Sequence, residues 1–311
     1  MSQPPAKRQR TEEDKDAPIT RSELWHTDGS VVLQAENTQF RVHWSVLARN
    51  SSFFRDMQSL PQPPSQPTVE GCPVVELPDA EIDVEFVLKA LYTPTLLAEP
   101  TLPLSAVGAL VRLGRKYDFE ELFNSAVGRL AFENPTSFEE YEARIVDHQY
   151  APTRITPSPG FSFDMVTLLS ENRLWSLLPC ACFRLVVWGK PAKLFDGISR
   201  QNGTLASLSF VDLRRCVAGR EFLLTKQLEP GYTFGWSRGW NYNKCTNPDQ
   251  CASMRTVIVE ACSDYPALAN SMDDFSGIWG SLSMLAGLKK VWEELPRAFG
   301  LPAWDELKND P

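Results

Sequence analysis

Two cysteine pairs have the residue types and spacing that could do chemistry. They are Cys180 with Cys182 and Cys245 with Cys251. Together they supply the four thiols that a tetrahedral zinc site needs, or the two partners of a redox pair. Neither spacing matches the usual short zinc knuckle, and no histidine lies nearby in sequence. Because buried cysteine is also a common small apolar residue, packed thiols are the simpler interpretation and a metal site is the alternative.

The histidines do not form a catalytic arrangement with a nucleophile. The chain has three, His26, His43 and His148, and no sequence pattern orients one of them as a base beside a serine or cysteine. A glycine-rich segment at 231–239 lacks the lysine and the Ser/Thr of a phosphate-binding loop. We therefore expect a protein that is not an enzyme and needs no cofactor.

Composition restricts the class of partner. The 311 residues carry a net charge of −8, with a pI near 5.1, whereas binding to the phosphate backbone of nucleic acids needs a basic face. No run of 18 or more apolar residues is present, so we expect neither a membrane span nor a signal peptide. Seven cysteines, an odd number without a secretory signal, indicate reduced thiols inside a cell.

The chain begins with a polar and charged segment. Residues 1–20 are rich in proline, glutamine and charge, which predicts a disordered tail. Lys7, Arg8 and Arg10 form a basic cluster within it. This cluster is either a solvated charge run or a short nuclear-import signal, so we expect an intracellular protein in the cytoplasm or the nucleus.

The first folded segment is predicted to start with a β-hairpin that leads into helices. Val31, Leu33 and Ala35 alternate with Val32 and Gln34, which predicts a partly buried strand, and Glu36–Gln39 is predicted to form a polar turn before the returning strand. From Trp44 onwards the apolar spacing becomes helical. A third strand at 74–77 and helices over 79–92, from Pro103 and from Phe119 follow.

The second half of the chain is predicted to be mainly helical. A proline-rich stretch at 151–160 separates it from the first half. A helix is expected over 163–178, and Ser209 and Asn247 carry the signals of helix starts. We expect these segments: tail 1–20, first domain 21–134, linker 135–161 and helical extension 162–311.

Five segments, in this order, resemble a BTB/POZ domain over about a third of the chain. They are Asp28-Gly-Ser-Val-Val-Leu33, Phe40-Arg-Val-His-Trp-Ser-Val-Leu47, Ser52-Phe-Phe-Arg-Asp-Met57, Val75-Glu-Leu-Pro-Asp79 and Leu113-Gly-Arg-Lys-Tyr117. The resemblance implies an α+β fold, a BTB/POZ fold in which a small sheet packs with helical hairpins, followed here by a mainly α-helical C-terminal region.

The second half resembles the C-terminal extension of fungal, mushroom-type BTB proteins. The segments that carry this resemblance are Leu178-Pro-Cys-Ala-Cys-Phe183, Asp212-Leu-Arg-Arg-Cys-Val-Ala-Gly-Arg220 and Cys245-Thr-Asn-Pro-Asp-Gln-Cys251. That extension has no assigned biochemical activity, so this second resemblance adds no function to the one implied by the first domain.

The BTB resemblance implies a protein-interaction module that forms homodimers. The positions that match the family's dimer surface are Leu24, Trp25, Val46, Leu47, Phe53 and Phe54. We expect a scaffold for an unidentified protein partner, with a cullin-3 ubiquitin-ligase adaptor and a nuclear transcription regulator as alternatives.

Two departures from the family pattern bear on these alternatives. Repressor-type members carry an aspartate before the paired valines and a basic residue after the histidine, whereas this chain has Ser30 and Trp44. Losing both charges together avoids leaving one buried charge unpaired. Cullin-3 adaptors often carry a hydrophobic-x-acidic motif after the first helices, and residues 58–64 contain no acid.

Overall fold

A computed structural model describes most of the chain. The described residues are 18–60, 66–146, 149–200, 202–232 and 281–309, with the single positions 247, 249 and 253. Their contacts divide them into two compact units, one within Met1–Glu99 and Ser105–Val127 and the other within Pro100–Leu104 and Gly128–Pro311. Within the described residues, every helix is too short or too polar to be a membrane-spanning segment.

The first unit contains a five-stranded mixed sheet in the order β1-β3-β2-β5-β4. Strands β2 and β3 form the antiparallel hairpin, β1 joins β3 in parallel, and β5 joins β2 in parallel. The strands are β1 (Thr20–Trp25), β2 (Val31–Ala35), β3 (Thr38–Val42), β4 (Thr68–Val69) and β5 (Cys72–Leu77).

The hairpin turn is tighter than the sequence predicts. Pairing begins again at Thr38, which faces Ala35, so Glu36 and Asn37 alone form the turn. Glu36 adopts a left-handed backbone with φ of 50°, as a short turn between twisted strands requires.

Strand β2 is buried more completely than the predicted partly buried strand. Val32 has no exposed surface. Cys72 and Val74 of β5 pack against it, and the partly buried Trp25 and Val69 complete this small apolar cluster. Side chains of neighbouring strands therefore shield Val32 from solvent.

Helices follow strands β3 and β5 along this part of the chain. They are α1 (Trp44–Asn50), α2 (Ser52–Ser59), α3 (Glu81–Tyr92), α4 (Thr95–Ala98), α5 (Leu104–Lys116) and α6 (Glu120–Glu133). Ser51 caps α2, since its hydroxyl accepts the Phe54 backbone N–H at 3.1 Å and donates to the carbonyl of Tyr117. This single side chain therefore starts one helix and connects it to the end of another.

The second unit is mainly helical and contains only short strands. Its helices are α7 (Phe138–Glu142), α8 (Phe161–Glu171), α9 (Leu178–Trp188), α10 (Pro191–Asp196), α11 (Phe210–Lys226), α12 (Ser281–Glu293) and α13 (Leu295–Ala298). The paired strands are β6 (Leu102–Pro103) with β9 (Ile155–Thr156), β7 (Ile145–Val146) with β8 (Gln149–Tyr150), and β10 (Ile198–Ser199) with β11 (Leu205–Ala206). The predicted α+β fold followed by a helical region is confirmed.

The predictions for individual segments of the second half have different outcomes in the structure. Ser209 caps α11 as predicted, accepting the Asp212 backbone N–H at 3.1 Å. The predicted linker at 135–161 includes α7, β7, β8 and β9, so much of it is paired or helical. The predicted helix start at Asn247 falls in a stretch where the structure describes only single residues.

Helix α11 packs closely against Phe299 at the position of Gly219. A Cβ atom at this position would lie 2.2 Å from Cε1 of the buried Phe299. We expect Gly219→Ala to destabilise the protein by about 1–3 kcal/mol, because overpacking outweighs the better helix propensity of alanine. The unfolding midpoint in urea measures this. In the matched control, Gly128→Ala in α6, the new methyl group meets no atom within 4 Å and should leave stability equal or higher. An unchanged midpoint for Gly219→Ala would contradict the packing.

Candidate protein-interaction surface

A hydrogen-bonded cluster fixes the junction between the hairpin and α1. The hydroxyl of Tyr92, at the end of α3, accepts the backbone N–H of His43 at 2.8 Å and lies 3.0 Å from Nδ1 of the same residue. Nε2 of His43 lies 3.2 Å from Oδ1 of Asp28. Since the phenol oxygen already accepts the amide, its own proton points to Nδ1, which leaves the imidazole proton on Nε2 for the carboxylate.

The pKa shifts in this cluster favour an ionised Asp28 carboxyl and a protonated Tyr92 hydroxyl, which fits a structural hydrogen-bonded contact. A hydrogen bond from its own backbone amide, followed by the contact with His43, lowers the pKa of the Asp28 carboxyl. Burial raises the pKa of the Tyr92 phenol, so this hydroxyl remains protonated. The ring of His26 stacks on Tyr92 with 4.5 Å between centroids. The Tyr92 phenol therefore does not have the lowered pKa that a nucleophile would need.

Ser30 and Trp44, the two departures from the family pattern, contact each other. The backbone N–H of Trp44 donates to the Ser30 hydroxyl at 3.0 Å, which satisfies one donor in the first turn of α1. His43, at the cap position itself, makes no side-chain cap. A neutral serine thus caps this helix at the place where the family pattern would put paired charges.

The six residues predicted for a dimer surface separate into two groups. Leu47 and Phe54 are fully buried within the first unit, where a second copy cannot reach them, so their assignment to a surface is corrected. Leu24, Trp25 and Val46 are partly exposed. Phe53 is 40% exposed, which is unusual for a phenylalanine beside a core.

Phe53 is held in position by aromatic neighbours. Its ring centroid lies 5.1 Å from that of Tyr117 and 5.3 Å from that of Phe54, which it meets edge to face. These contacts orient the exposed part of the ring, since aromatic pairs prefer such geometries. Phe53 therefore offers a rigid apolar group at the surface of α2.

Strand β1 lies at one edge of the sheet, and most of its residues are exposed or partly exposed. Arg21 stacks its guanidinium over Trp25 at 4.3 Å and forms an ion pair with Glu70 at 2.7 Å. An edge strand presents backbone N–H and C=O groups to a further strand. The half-exposed Leu24 and Trp25 therefore belong to an element that can pair with another chain.

A family model of the BTB/POZ domain matches residues 26–130. The first part of this chain is a BTB/POZ domain. Its match covers the hairpin, the His43 junction and helices α1 to α5 with most of α6. A search of the curated proteins found no match to the chain. BTB/POZ domains are protein–protein interaction modules, so the exposed Phe53 of α2, within the matched residues, belongs to a domain of binding function.

The cysteines do not assemble a metal site within the part of the chain that the structure describes. Cys180 and Cys182 are fully buried in α9, whereas Cys245 and Cys251 lie outside the described residues. Burial raises the pKa of the Cys180 thiol to about 11 and that of Cys182 well above its usual value. Burial therefore favours the protonated form of both thiols in the arrangement described.

Several other predicted residues also fall outside the described ranges. These are His148, the glycine-rich segment after Tyr232, and the basic cluster of Lys7, Arg8 and Arg10. Sequence reasoning missed the contact of Tyr92 with His43, because the two residues are 49 positions apart.

The hydrogen bonds at the junction predict the tautomer of His43. We expect neutral His43 to carry its proton on Nε2, because Nδ1 accepts from Tyr92. Long-range ¹H–¹⁵N correlation spectra of the imidazole measure this directly. In Tyr92→Phe, Nδ1 and the His43 amide lose their partner, so we expect a mixed tautomer population and a loss of about 1–3 kcal/mol of stability. A wild-type proton on Nδ1 would contradict the arrangement.

Proposed function

We propose that this protein is a non-catalytic scaffold that self-associates through its BTB/POZ domain and presents its C-terminal helical region to other proteins. The observation that carries this proposal is the exposure of Phe53 on α2, held rigid by Tyr117 and Phe54. Rigid exposed aromatic residues are enriched at interface centres. We also propose the segments 21–134, 135–161 and 162–311 as domain, connecting region and extension.

The proposed self-association surface consists of Leu24, Trp25, Val46 and Phe53. These four residues come from β1, α1 and α2 and are all at least partly exposed. A symmetric dimer uses the same patch on both copies, so a moderate apolar patch is buried twice. The exposed edge of β1 supports this surface, because strand pairing between copies would satisfy its backbone groups.

A cullin-3 adaptor is the second candidate. Leu60, directly after α2, is 62% exposed and supplies an apolar residue near the place where such adaptors carry their motif. The residues that follow contain no acid, which favours the scaffold. Co-purification of cullin-3 with the full chain would support the adaptor. The nuclear regulator depends on Lys7, Arg8 and Arg10 alone, and no described residue favours it.

Phe53→Glu should shift the oligomeric state. A carboxylate at this position would have to be buried without a partner in the dimer, so we expect dimer affinity to fall at least about tenfold. Sedimentation velocity over a range of micromolar concentrations measures the change.

The matched control is Ile82→Glu. Ile82 is another exposed apolar residue of the same unit, 50% exposed on α3, and lies outside the proposed surface. This variant should associate like the wild type. A wild-type protein that remains monomeric throughout, or an equal effect of both variants, would contradict the proposal.

A further inference from the structure

Two arginine side chains stack on one phenylalanine ring at the surface of the second unit. Cζ of Arg144 lies 4.4 Å from the ring centroid of Phe132, and Cζ of Arg154 lies 3.7 Å from it. The two guanidinium groups are therefore no further apart than the sum of these distances. Stacking restrains each guanidinium, and those of its in-plane N–H groups that the protein does not engage can donate to carboxylates.

The nearest buried acid is fully engaged by other donors. Glu133 accepts the backbone N–H groups of Thr153 at 3.0 Å and Arg154 at 2.7 Å, and its carboxylate also accepts the hydroxyl of Tyr150. The buried Arg184 donates to the backbone carbonyl of the same residue at 2.9 Å. The same bonds fix the backbone at Arg154, so its side chain projects from a rigid base.

Neither stacked arginine forms an ion pair with any residue that the structure describes. Nη1 of Arg144 donates to the carbonyl of Glu140, while its buried Nε has no partner among those residues. Arg129 adds a third positive charge, donating to the carbonyl of Arg154 at 3.1 Å. Burial, followed by repulsion from Arg154, lowers the pKa of Arg129.

We propose that Phe132, Arg144 and Arg154, the arginine patch, bind a carboxylate-rich segment of a partner protein. Each guanidinium can hold one carboxylate through two parallel hydrogen bonds. Alternate side chains of an extended peptide lie on one face about 6.5–7 Å apart, which fits within the largest separation of the two guanidinium groups. An acidic segment in extended conformation thus engages both arginines at once.

The patch lies wholly in the second unit and does not depend on self-association through the BTB/POZ domain. Its failure is distinguishable from failure of the proposed function, since Phe53→Glu should leave binding at the patch unchanged. Sequence patterns did not reveal it, because its residues come from the end of α6, the turn after α7 and the residue before β9.

Fluorescence anisotropy of a fluorescein-labelled hexaglutamate peptide, titrated with the full chain, tests this proposal. We expect the double variant R144Q/R154Q to bind at least about tenfold more weakly, because two charge-assisted contacts are lost. Phe132→Leu keeps both charges but loses the stacking surface, so we expect a smaller, roughly two- to fivefold, decrease. The matched control is R214Q, an exposed arginine of α11 in the same unit, which should bind within twofold of the wild type.

Three outcomes would overturn the proposal. Equal affinities of R144Q/R154Q and the wild type would do so, as would an equal loss in R214Q, which would indicate general charge attraction. Binding of a phosphoserine peptide without binding of hexaglutamate would assign the patch to phosphate instead. Salt dependence of the wild type provides a measurement that needs no variant, since affinity must fall as sodium chloride is raised.

Discussion

The bond between Tyr92 and His43 is the contact on which the first unit depends. It connects the end of α3 to the residue where the hairpin becomes α1, and through Asp28 it also reaches the loop before β2. A phenol that accepts a backbone amide and donates to an imidazole satisfies three polar groups at a partly buried junction. With this junction fixed, α1 and α2 follow in one orientation, and Phe54 enters the core while Phe53 remains at the surface.

The two units offer different kinds of surface. The first unit presents an edge strand and a rigid aromatic residue, and its helix cap at Ser30 is neutral. Apolar patches of this type favour self-association, because the contact removes the apolar surface of both copies from water. The arginine patch of the second unit suits a charged partner, since stacked guanidinium groups give orientation as well as attraction. A scaffold with both surfaces could assemble copies of itself and hold a different protein.

The predictable features are those that depend on local pattern. Ser209 as a helix cap follows from residue type and spacing, the α+β fold follows from the family resemblance, and the structure confirms both. Leu47 and Phe54 show the limit, because a match to the family's dimer surface does not tell which of these residues the unit itself buries. The burial of Val32 was also not predictable locally, since it depends on the side chains of β5 that pack against it. Long-range contacts such as Tyr92 to His43 have no local signature.

Self-association through β1 and α2 is the central claim, and amide hydrogen exchange at two protein concentrations tests it most directly. If copies pair as proposed, the amides of Thr20–Trp25 and of the Phe53 region should exchange more slowly in a concentrated than in a dilute sample, while α3 and α5 change little. Peptides from the second unit provide an internal reference in the same measurement. Exchange in β1 and α2 that is identical at both concentrations would contradict the account.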